Sequence, residues 1–261
     1  MNEPKSETRW ILVAGSGKSR IPARIVETSK RLGRELADAG FGLVSGGWPG
    51  VDHIISRAFA EAVKETRGQL SDRLVQFMEK GQKPDFPAGR FFTAGSDDEA
   101  WSASIAKADA VALIGGVGGT YETGKIARRQ GKPVLPLADT RDEGHSDAYK
   151  FYFEMIEQWD AKPVQGLTLD AFQSLADPAP DVASDLVQLL DILFGRQLHR
   201  VTSPRSQRQP NRDAALELWQ EKLAYLLNEE PLTVDSSQKF KLKKEIEEAQ
   251  EKIRNLEGLS R

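Results

Sequence analysis

Three short apolar runs in this chain each end in a glycine-rich turn, and a segment with helical spacing of its apolar residues follows each turn. The runs occupy residues 10–14, 41–44 and 110–114. Short, continuous apolar runs are typical of strands that are buried on both faces, as in a parallel sheet. The repeated order of strand, glycine turn and helix therefore predicts an α/β fold, a Rossmann-like parallel sheet with helices on both faces.

Further elements continue this pattern to about residue 195. Weaker strand candidates occupy residues 74–78 and 90–93, and a loop rich in glycine and proline lies between them. An apolar run at residues 134–137 predicts another strand. We expect residues 1–195 to form one domain. The apolar spacing predicts helices at residues 21–39, 51–63, 97–108, 148–158 and 182–193.

The character of the chain changes after Gly195. Residues 196–212 contain five arginines and two prolines but few apolar residues, which predicts a solvated linker. No aromatic residue interrupts this stretch, so it lacks platforms on which bases could stack. Residues 213–261 are predicted to form a small α-helical module, because apolar residues recur there at helical spacing. These are Leu216, Trp219, Leu223 and Leu226 and, after a break at Pro231, Leu242, Ile246, Ala249, Ile253 and Leu256.

Composition and charge exclude several classes of site and partner. The chain has no cysteine and three histidines far apart in sequence, so we expect no disulfide, no metal site and no cofactor. The formal net charge of −3 provides no overall attraction to nucleic acid, and we expect no nucleic-acid partner. The polar N-terminus does not resemble a signal peptide, and no apolar stretch is long enough to span a membrane. We therefore expect a cytoplasmic protein without a membrane partner.

The three glycine turns are the candidate ligand site. In a parallel sheet they lie at the carboxyl ends of the strands, where ligands bind in doubly wound folds. Glycine lets backbone N–H groups approach phosphate oxygens, and the N-terminus of the following helix favours an anion. Asp52 and Glu122 are candidates for contacts with a ribose or a base. The predicted phosphate-binding residues are Gly15, Ser16, Gly17, Lys18, Gly46, Gly47, Gly115, Gly116, Gly118, Gly119 and Thr120.

Two limits apply to this interpretation of the glycines. The segment Gly-Ser-Gly-Lys-Ser at residues 15–19 lacks the upstream glycine of a Walker motif, so we assign no ATP hydrolysis to it. The glycines could also serve only to pack helices tightly against strands, which would make the chain a structural adaptor without a ligand. Three such turns at one edge of the sheet favour ligand binding over this alternative.

The motifs resemble those of a known group of proteins. Residues 108–122 resemble the signature of the lysine decarboxylase-like LOG proteins, in which an aspartate-containing strand leads to P-G-G-x-G-T-x-x-E. Residues 45–52 resemble the first Gly-Gly-x-x-Gly turn of the same proteins. The likeness covers most of residues 10–137 and extends to the wider SLOG superfamily, which includes LOG enzymes, DprA-like proteins and nucleotide-sensor domains. It implies a Rossmann-like fold that binds a nucleotide.

The chain departs from this signature where LOG catalysis would occur. LOG phosphoribohydrolases cleave a base from a nucleotide monophosphate with an arginine from an M-H-x-R-K-like stretch and the glutamate of the glycine motif. Residues 99–104 here contain neither arginine nor histidine, and Ile114 stands at the proline position. An additional glycine, Gly119, leaves the register of Glu122 open by one residue. The resemblance makes Glu122 the catalytic residue if the chain is an enzyme, but the missing arginine favours a protein without enzymatic activity.

The predicted C-terminal module resembles the small effector-associated helical domains of bacterial conflict systems, and a dimerising helical hairpin is its alternative interpretation. Together the resemblances imply a sensor of a nucleotide-derived second messenger of the ADP-ribose or cyclic ADP-ribose type. The helical module would couple ligand binding to an effector protein in bacterial antiphage defence. The alternatives are a LOG-type nucleotide 5'-monophosphate phosphoribohydrolase and an adaptor without a ligand, and DNA binding of the DprA type ranks last. LOG relatives and the exposed helical seam imply a homo-oligomer.

Overall fold

A computed structural model describes residues 8–18, 20–140, 146–177 and 181–196, together with fourteen single positions between 219 and 254. The chain divides into two compact units, Met1–Ser203 and Pro204–Arg261. Among the described residues, no helix combines the length and the apolar character that a bilayer crossing requires.

The first unit is built on a six-stranded parallel sheet. Its strands stand in the order β4-β3-β2-β1-β5-β6. Strand β5 is buried along its whole length because it has a neighbouring strand on each side and helices pack against it. The predicted α/β, Rossmann-like fold is confirmed. The strands are β1 (Trp10–Gly15), β2 (Gly42–Ser45), β3 (Leu74–Glu79), β4 (Arg90–Ala94), β5 (Ala110–Ile114) and β6 (Val134–Leu137).

Helices cover both faces of this sheet. The crossovers from β1 to β2 and from β2 to β3 run in one direction along the sheet, and those from β4 to β5 and from β5 to β6 run in the other. Right-handed crossovers in opposite directions place their helices on opposite faces. Accordingly α1 contacts α2 and α7, whereas α4 contacts α3 and α5. The helices are α1 (Ala23–Asp38), α2 (Val51–Glu65), α3 (Asp97–Lys107), α4 (Gly119–Arg129), α5 (Asp147–Glu157), α6 (Leu169–Gln173) and α7 (Val182–Leu193).

Helices α1 and α2 pack closely because of one glycine. Leu32 and Leu36 are fully buried on the inner side of α1, where each contributes about 1.5–3 kcal/mol. Between them, Gly33 meets α2 so closely that a Cβ there would lie 2.7 Å from the carbonyl oxygen of Ile55. The apolar spacing of residues 21–39 predicted this helix, and the contact at Gly33 fixes how near α2 can approach.

The connection between β3 and β4 is a parallel crossover without a helix. The ten residues from 80 to 89 can span about 33 Å when extended, which is enough to return along a six-residue strand. Gln76, fully buried in β3, fixes the returning segment. Its Nε2 donates to the carbonyl oxygens of Phe86 at 2.9 Å and Ala88 at 2.7 Å. The loop was predicted from its glycines and prolines, and the tertiary structure adds its parallel course.

The second unit is helical at every position that the structure describes. Four residues of the predicted apolar spacing are buried, namely Trp219, Leu226, Ile246 and Ala249. Residues 197–212 of the predicted linker, together with Leu216 and Leu256, lie outside the described residues. The kinship of this unit with effector-associated domains stays a prediction.

Candidate functional site

The strand order of the sheet reverses between β1 and β5. From β1 the chain proceeds outward through β2, β3 and β4, and it then returns to place β5 and β6 on the other side of β1. The turns after β1 and β5 therefore diverge and leave a crevice at the carboxyl edge of the sheet. A cavity of about 420 Å³ lies there. The predicted site residues that line it are Gly15, Ser16, Gly17, Lys18, Gly46, Asp52, Gly119 and Thr120.

The first turn has a packed half and an open half. A Cβ at Gly15 would lie 2.7 Å from the side chain of Val51 and from the carbonyl oxygen of Ile114, so this glycine is required for packing. The carbonyl oxygen of Ser16 accepts the N–H of Val51 at 3.0 Å and so closes the N-terminus of α2. Nothing lies within 4 Å of the Cβ position of Gly17. A ligand therefore has access to Gly17 and to the exposed residue after it, Lys18.

The second turn is occupied by a side chain of the protein itself. Asp52 is buried in the first turn of α2, and its carboxylate accepts the N–H of Trp48 at 3.3 Å. The backbone of Gly46 and the side chain of Ser45 also hydrogen-bond to it, and the N–H of Gly47 donates to Ser45 Oγ at 3.0 Å. Burial raises the pKa of Asp52 to about 6, and these hydrogen bonds partly oppose the rise. Because these donors already have hydrogen-bond partners within the turn, its backbone is not available to a ligand in the cavity.

The first two glycines of the third turn are structural. The N–H of Gly115 donates to Thr140 Oγ1 at 2.8 Å. At Gly116, a Cβ would lie 2.1 Å from Thr120 Oγ1, so the close approach of that side chain demands a glycine. Neither Gly115 nor Gly116 lines the cavity, and Gly47 and Gly118 are also outside its lining.

The remaining part of the third turn leads into the N-terminus of α4, where most backbone donors already have partners. Helices α3, α5 and α6 are capped by the side chains of Ser96, Ser146 and Thr168. Helix α4 instead begins after Gly118, which has a φ of 84° and offers no capping side chain. A Cβ at Gly118 or at Gly119 would meet nothing within 4 Å. The carboxylate of Asp147 accepts the N–H of Tyr121 at 2.9 Å, and the N–H of Gly119 donates to the carbonyl oxygen of Val117 at 3.3 Å. Among the described residues, the N–H of Thr120 has no partner, so this is the donor at the start of α4 that an anion can reach.

Two acidic residues of the LOG-like signature lie apart from this cavity. Glu122 is half exposed on α4, and its Oε1 lies 2.7 Å from Lys125 Nζ. It is not among the lining residues. Asp109 lies at the opposite edge of the sheet, where its carboxylate accepts the N–H of Trp10 at 2.7 Å and joins β1 to the start of β5. In this position Asp109 stabilises the fold.

The structure adds lining residues that sequence reasoning missed. Trp48 and Trp101 bring two indole rings to the cavity, and Phe77 adds an apolar wall from β3. Asp97 and Asp98 bring carboxylates from the start of α3. Trp48 could have been found, because it directly follows Gly46 and Gly47, the first Gly-Gly pair of the chain. The other residues come from β3 and α3, whose distance from the glycine turns in sequence gives no local signal.

The charged residues that line the cavity come from different elements of the fold. Lys18 lies beside the first turn, whereas Asp97 and Asp98 lie on α3. Among the described residues, no histidine or arginine lines the cavity, and no group of His, Asp and Glu is arranged to hold a metal ion. The lining of the cavity thus combines backbone donors and one cation from the glycine turns with aromatic rings and carboxylates.

Comparison with known proteins identifies the superfamily and supports the fold. The sequence profile of the SLOG cluster4 family matches residues 8–162. No curated protein sequence matches the chain. The molybdenum cofactor carrier protein of Chlamydomonas reinhardtii is 18% identical, covers 73% of this chain and 100% of its own, and superposes with a TM-score of 0.53. The molybdenum cofactor binding protein of Rippkaea orientalis is 14% identical, covers 73% and 99%, and has a TM-score of 0.54. At these identities the likeness shows a shared fold.

Proposed function

The chain belongs to the SLOG cluster4 family, and from this premise we propose that its first unit senses a nucleotide-derived second messenger of the ADP-ribose or cyclic ADP-ribose type. The observation that carries the proposal is the cavity between the two open turns, at the point where the strand order reverses. A doubly wound fold binds its ligand at this position.

The phosphate end of the ligand is assigned to the two open turns. Gly17 and Gly119 border the cavity without a neighbour within 4 Å of their Cβ positions. At the N-terminus of α4 the N–H of Thr120 is left to donate to an anion, and Lys18 adds a positive charge. The second turn is held by its own hydrogen bonds, because the N–H of Gly47 donates to Ser45 Oγ and that of Trp48 donates to Asp52.

Binding without turnover is favoured over hydrolysis. Cleavage of an N-glycosidic bond needs a group that stabilises the charge developing on the ribose and a cation that holds the phosphate. The glutamate that the LOG signature supplies is paired with Lys125 outside the lining, and no arginine lines the cavity among the described residues. These two facts support a sensor.

The sensor would report to a partner through the second unit. Its buried apolar positions match the spacing on which the resemblance to effector-associated domains rests. We therefore assign to this unit the coupling of ligand binding to an effector protein in bacterial antiphage defence. Self-assembly of the chain is part of the signal in this proposal. Co-purification of the effector with the full chain, and its loss when Ile246 is replaced by Asp, tests this assignment.

Titration calorimetry of the full chain tests the ligand. ADP-ribose, cyclic ADP-ribose isomers and AMP are the probes, and each mixture is chromatographed afterwards. The similar solved structures are named for the molybdenum cofactor, so this cofactor is included as a further probe. Binding with intact ligand supports the sensor. Release of free base shows a hydrolase, which Glu122→Gln would inactivate, and binding of none of these probes refutes the proposal.

A single methyl group locates the phosphate end. Gly119→Ala adds a methyl group in open space at a position without a left-handed φ, so the fold should tolerate it. We expect at least tenfold weaker binding, or about 1.4 kcal/mol, at an unchanged melting temperature. Ser102→Ala, an exposed position of α3 outside the lining, is the control and should bind as the wild type does. If the Gly119→Ala variant bound the ligand as tightly as the wild type does, the phosphate would not lie at the N-terminus of α4.

A further inference from the structure

Trp101 lines the cavity from α3 and is held in place by a chain of two hydrogen bonds. Its indole Nε1 donates to Thr123 Oγ1 at 2.9 Å. The hydroxyl of Thr123 in turn donates to the carbonyl oxygen of Gly119 at 2.9 Å. Thr123 is buried, so both bonds are shielded from water. The indole ring is therefore fixed relative to the first turn of α4, where the phosphate end of the ligand is assigned.

This arrangement leaves the ring itself for the ligand. The indole N–H is the only polar group of a tryptophan side chain, and Thr123 already accepts its hydrogen. What remains towards the cavity is an apolar π surface, which attracts planar rings by stacking. Trp101 is half-buried, and a ring held at its edge can stack without first losing rotational freedom.

The carboxylate of Asp98 lies on the same face of α3 as this ring. Asp98 is three residues before Trp101, a spacing that places both side chains on one side of a helix, and both line the cavity. The start of α3 is capped by Ser96 and Glu99, so Asp98 is not needed there. Among the described residues, the Asp98 carboxylate has no hydrogen-bond or ion-pair partner. An ionised carboxylate accepts hydrogen bonds and donates none.

We propose that Trp101 and Asp98 form a subsite for a planar heteroaromatic ring that carries an exocyclic amine, and that Thr123 is its positioning residue. This inference rests on the proposed function and names the other end of the same ligand. The ring stacks on Trp101, and an exocyclic amine such as that of adenine donates to Asp98. A ring with a carbonyl oxygen at that position would face the carboxylate as two acceptors and bind more weakly.

The experiment compares ligands that share the phosphate end and differ in the ring. Ribose 5-phosphate, AMP and IMP are titrated into the full chain, with ligand-observed NMR for weak binding. We expect Thr123→Val, which keeps the shape but accepts no hydrogen bond, to weaken AMP binding about five- to tenfold and to leave ribose 5-phosphate unchanged. Thr123→Ser retains the hydroxyl and should restore AMP binding. Asp98→Asn should reduce the preference for AMP over IMP.

The outcomes separate this inference from the proposed function. Binding of ribose 5-phosphate and AMP by the wild type, with both affinities unaffected by Thr123→Val and Trp101→Ala, would refute the ring subsite and leave the proposed function standing. Equal losses for AMP and ribose 5-phosphate in Thr123→Val would show a general structural effect and also overturn the inference. Failure of the wild type to bind any of the three ligands or ADP-ribose would refute both. Equal affinity for AMP and IMP would remove Asp98 from the subsite.

Discussion

The carbonyl oxygen of Ser16 would lie 2.2 Å from a Cβ at Gly50, so the second glycine turn packs directly against the first. The same oxygen accepts the N–H of Val51 at 3.0 Å. Only a residue without a side chain fits at this contact, and Gly50 also has a φ of 83°. The second turn thus positions the first turn, and its glycines need not touch a ligand to matter for binding.

Gly50→Ala should both destabilise the chain and weaken ligand binding. The methyl group would collide with the backbone of Ser16, and the left-handed φ adds strain. We expect a loss of about 1–3 kcal/mol in the free energy of unfolding, measured by urea denaturation. Gly17→Ala, where a methyl group meets nothing within 4 Å, is the control for stability and should unfold at the same urea concentration as the wild type. A Gly50→Ala variant of unchanged stability would contradict the packing argument.

Asp52 should make the stability of the protein depend on pH. Burial raises the pKa of Asp52 from 3.8 to about 6 in the folded chain, so the folded state binds its proton more tightly than the unfolded state does. The resulting stabilisation is complete below pH 3.8 and is lost as the pH rises through 6. The difference amounts to about 3 kcal/mol at most.

Asp52→Asn should remove this contribution. Urea denaturation at pH 4.5 and pH 7.5 should show a smaller pH dependence for the variant than for the wild type, because an amide does not titrate. Asp160→Asn, an exposed position, should keep the pH dependence of the wild type. Identical pH profiles for Asp52→Asn and the wild type would show that the carboxyl group does not titrate with a raised pKa.

Gln76→Leu should loosen the crossover between β3 and β4. The substitution removes the two hydrogen bonds to Phe86 and Ala88 that hold the returning segment. We expect a loss of about 1–3 kcal/mol in the free energy of unfolding and faster hydrogen exchange in residues 80–89. Gln82→Leu, at an exposed position of the same segment, should change stability by less than about 0.5 kcal/mol. If both substitutions changed the free energy of unfolding equally, the hydrogen bonds of Gln76 would not be what holds the returning segment.

Limited proteolysis should separate the two units within the predicted linker. Arg196 ends the described part of the first unit, where its guanidinium lies 4.1 Å from the ring centre of Phe41 and hydrogen-bonds the carbonyl oxygen of Ala39. We expect trypsin to cleave after the arginines of residues 200–212 and to spare Arg196. Mass spectrometry of the fragments identifies the cleavage points. Cleavage inside α7 before any cleavage at residues 200–212 would contradict the predicted boundary.

Much of the fold follows from local sequence signals. Buried strands such as β5 are continuous apolar runs, and α1 and α2 show the apolar spacing of helices packed on one side. These signals are local, because a strand or a helix buries side chains at a fixed period along the chain. The strand order and the helix-free return from β3 to β4 are not local, since they depend on which distant segments pair.

In the candidate site, too, local sequence signals predict one part of the structure and contacts between distant residues determine the rest. The glycine motifs predicted the edge of the sheet at which the cavity lies, but the glycines themselves look alike in sequence. Gly116 is required by the side chain of Thr120, whereas Gly119 borders open space. Trp101 reaches the cavity from α3 and is linked to α4 through Thr123. No spacing in the sequence could predict this link, because it joins two helices that only the sheet brings together.

The sequence by itself determined a parallel α/β domain with three glycine turns at one edge, because backbone geometry imposes those periods and turns on any chain with this pattern. The tertiary structure alone decided which turns pack against the rest of the protein and which border the cavity. Asp52 fills the second turn, and the reversal of strand order between β1 and β5 opens the other two. The physical reason is that hydrogen-bond satisfaction and steric contact depend on neighbours in space, which the order of residues does not state.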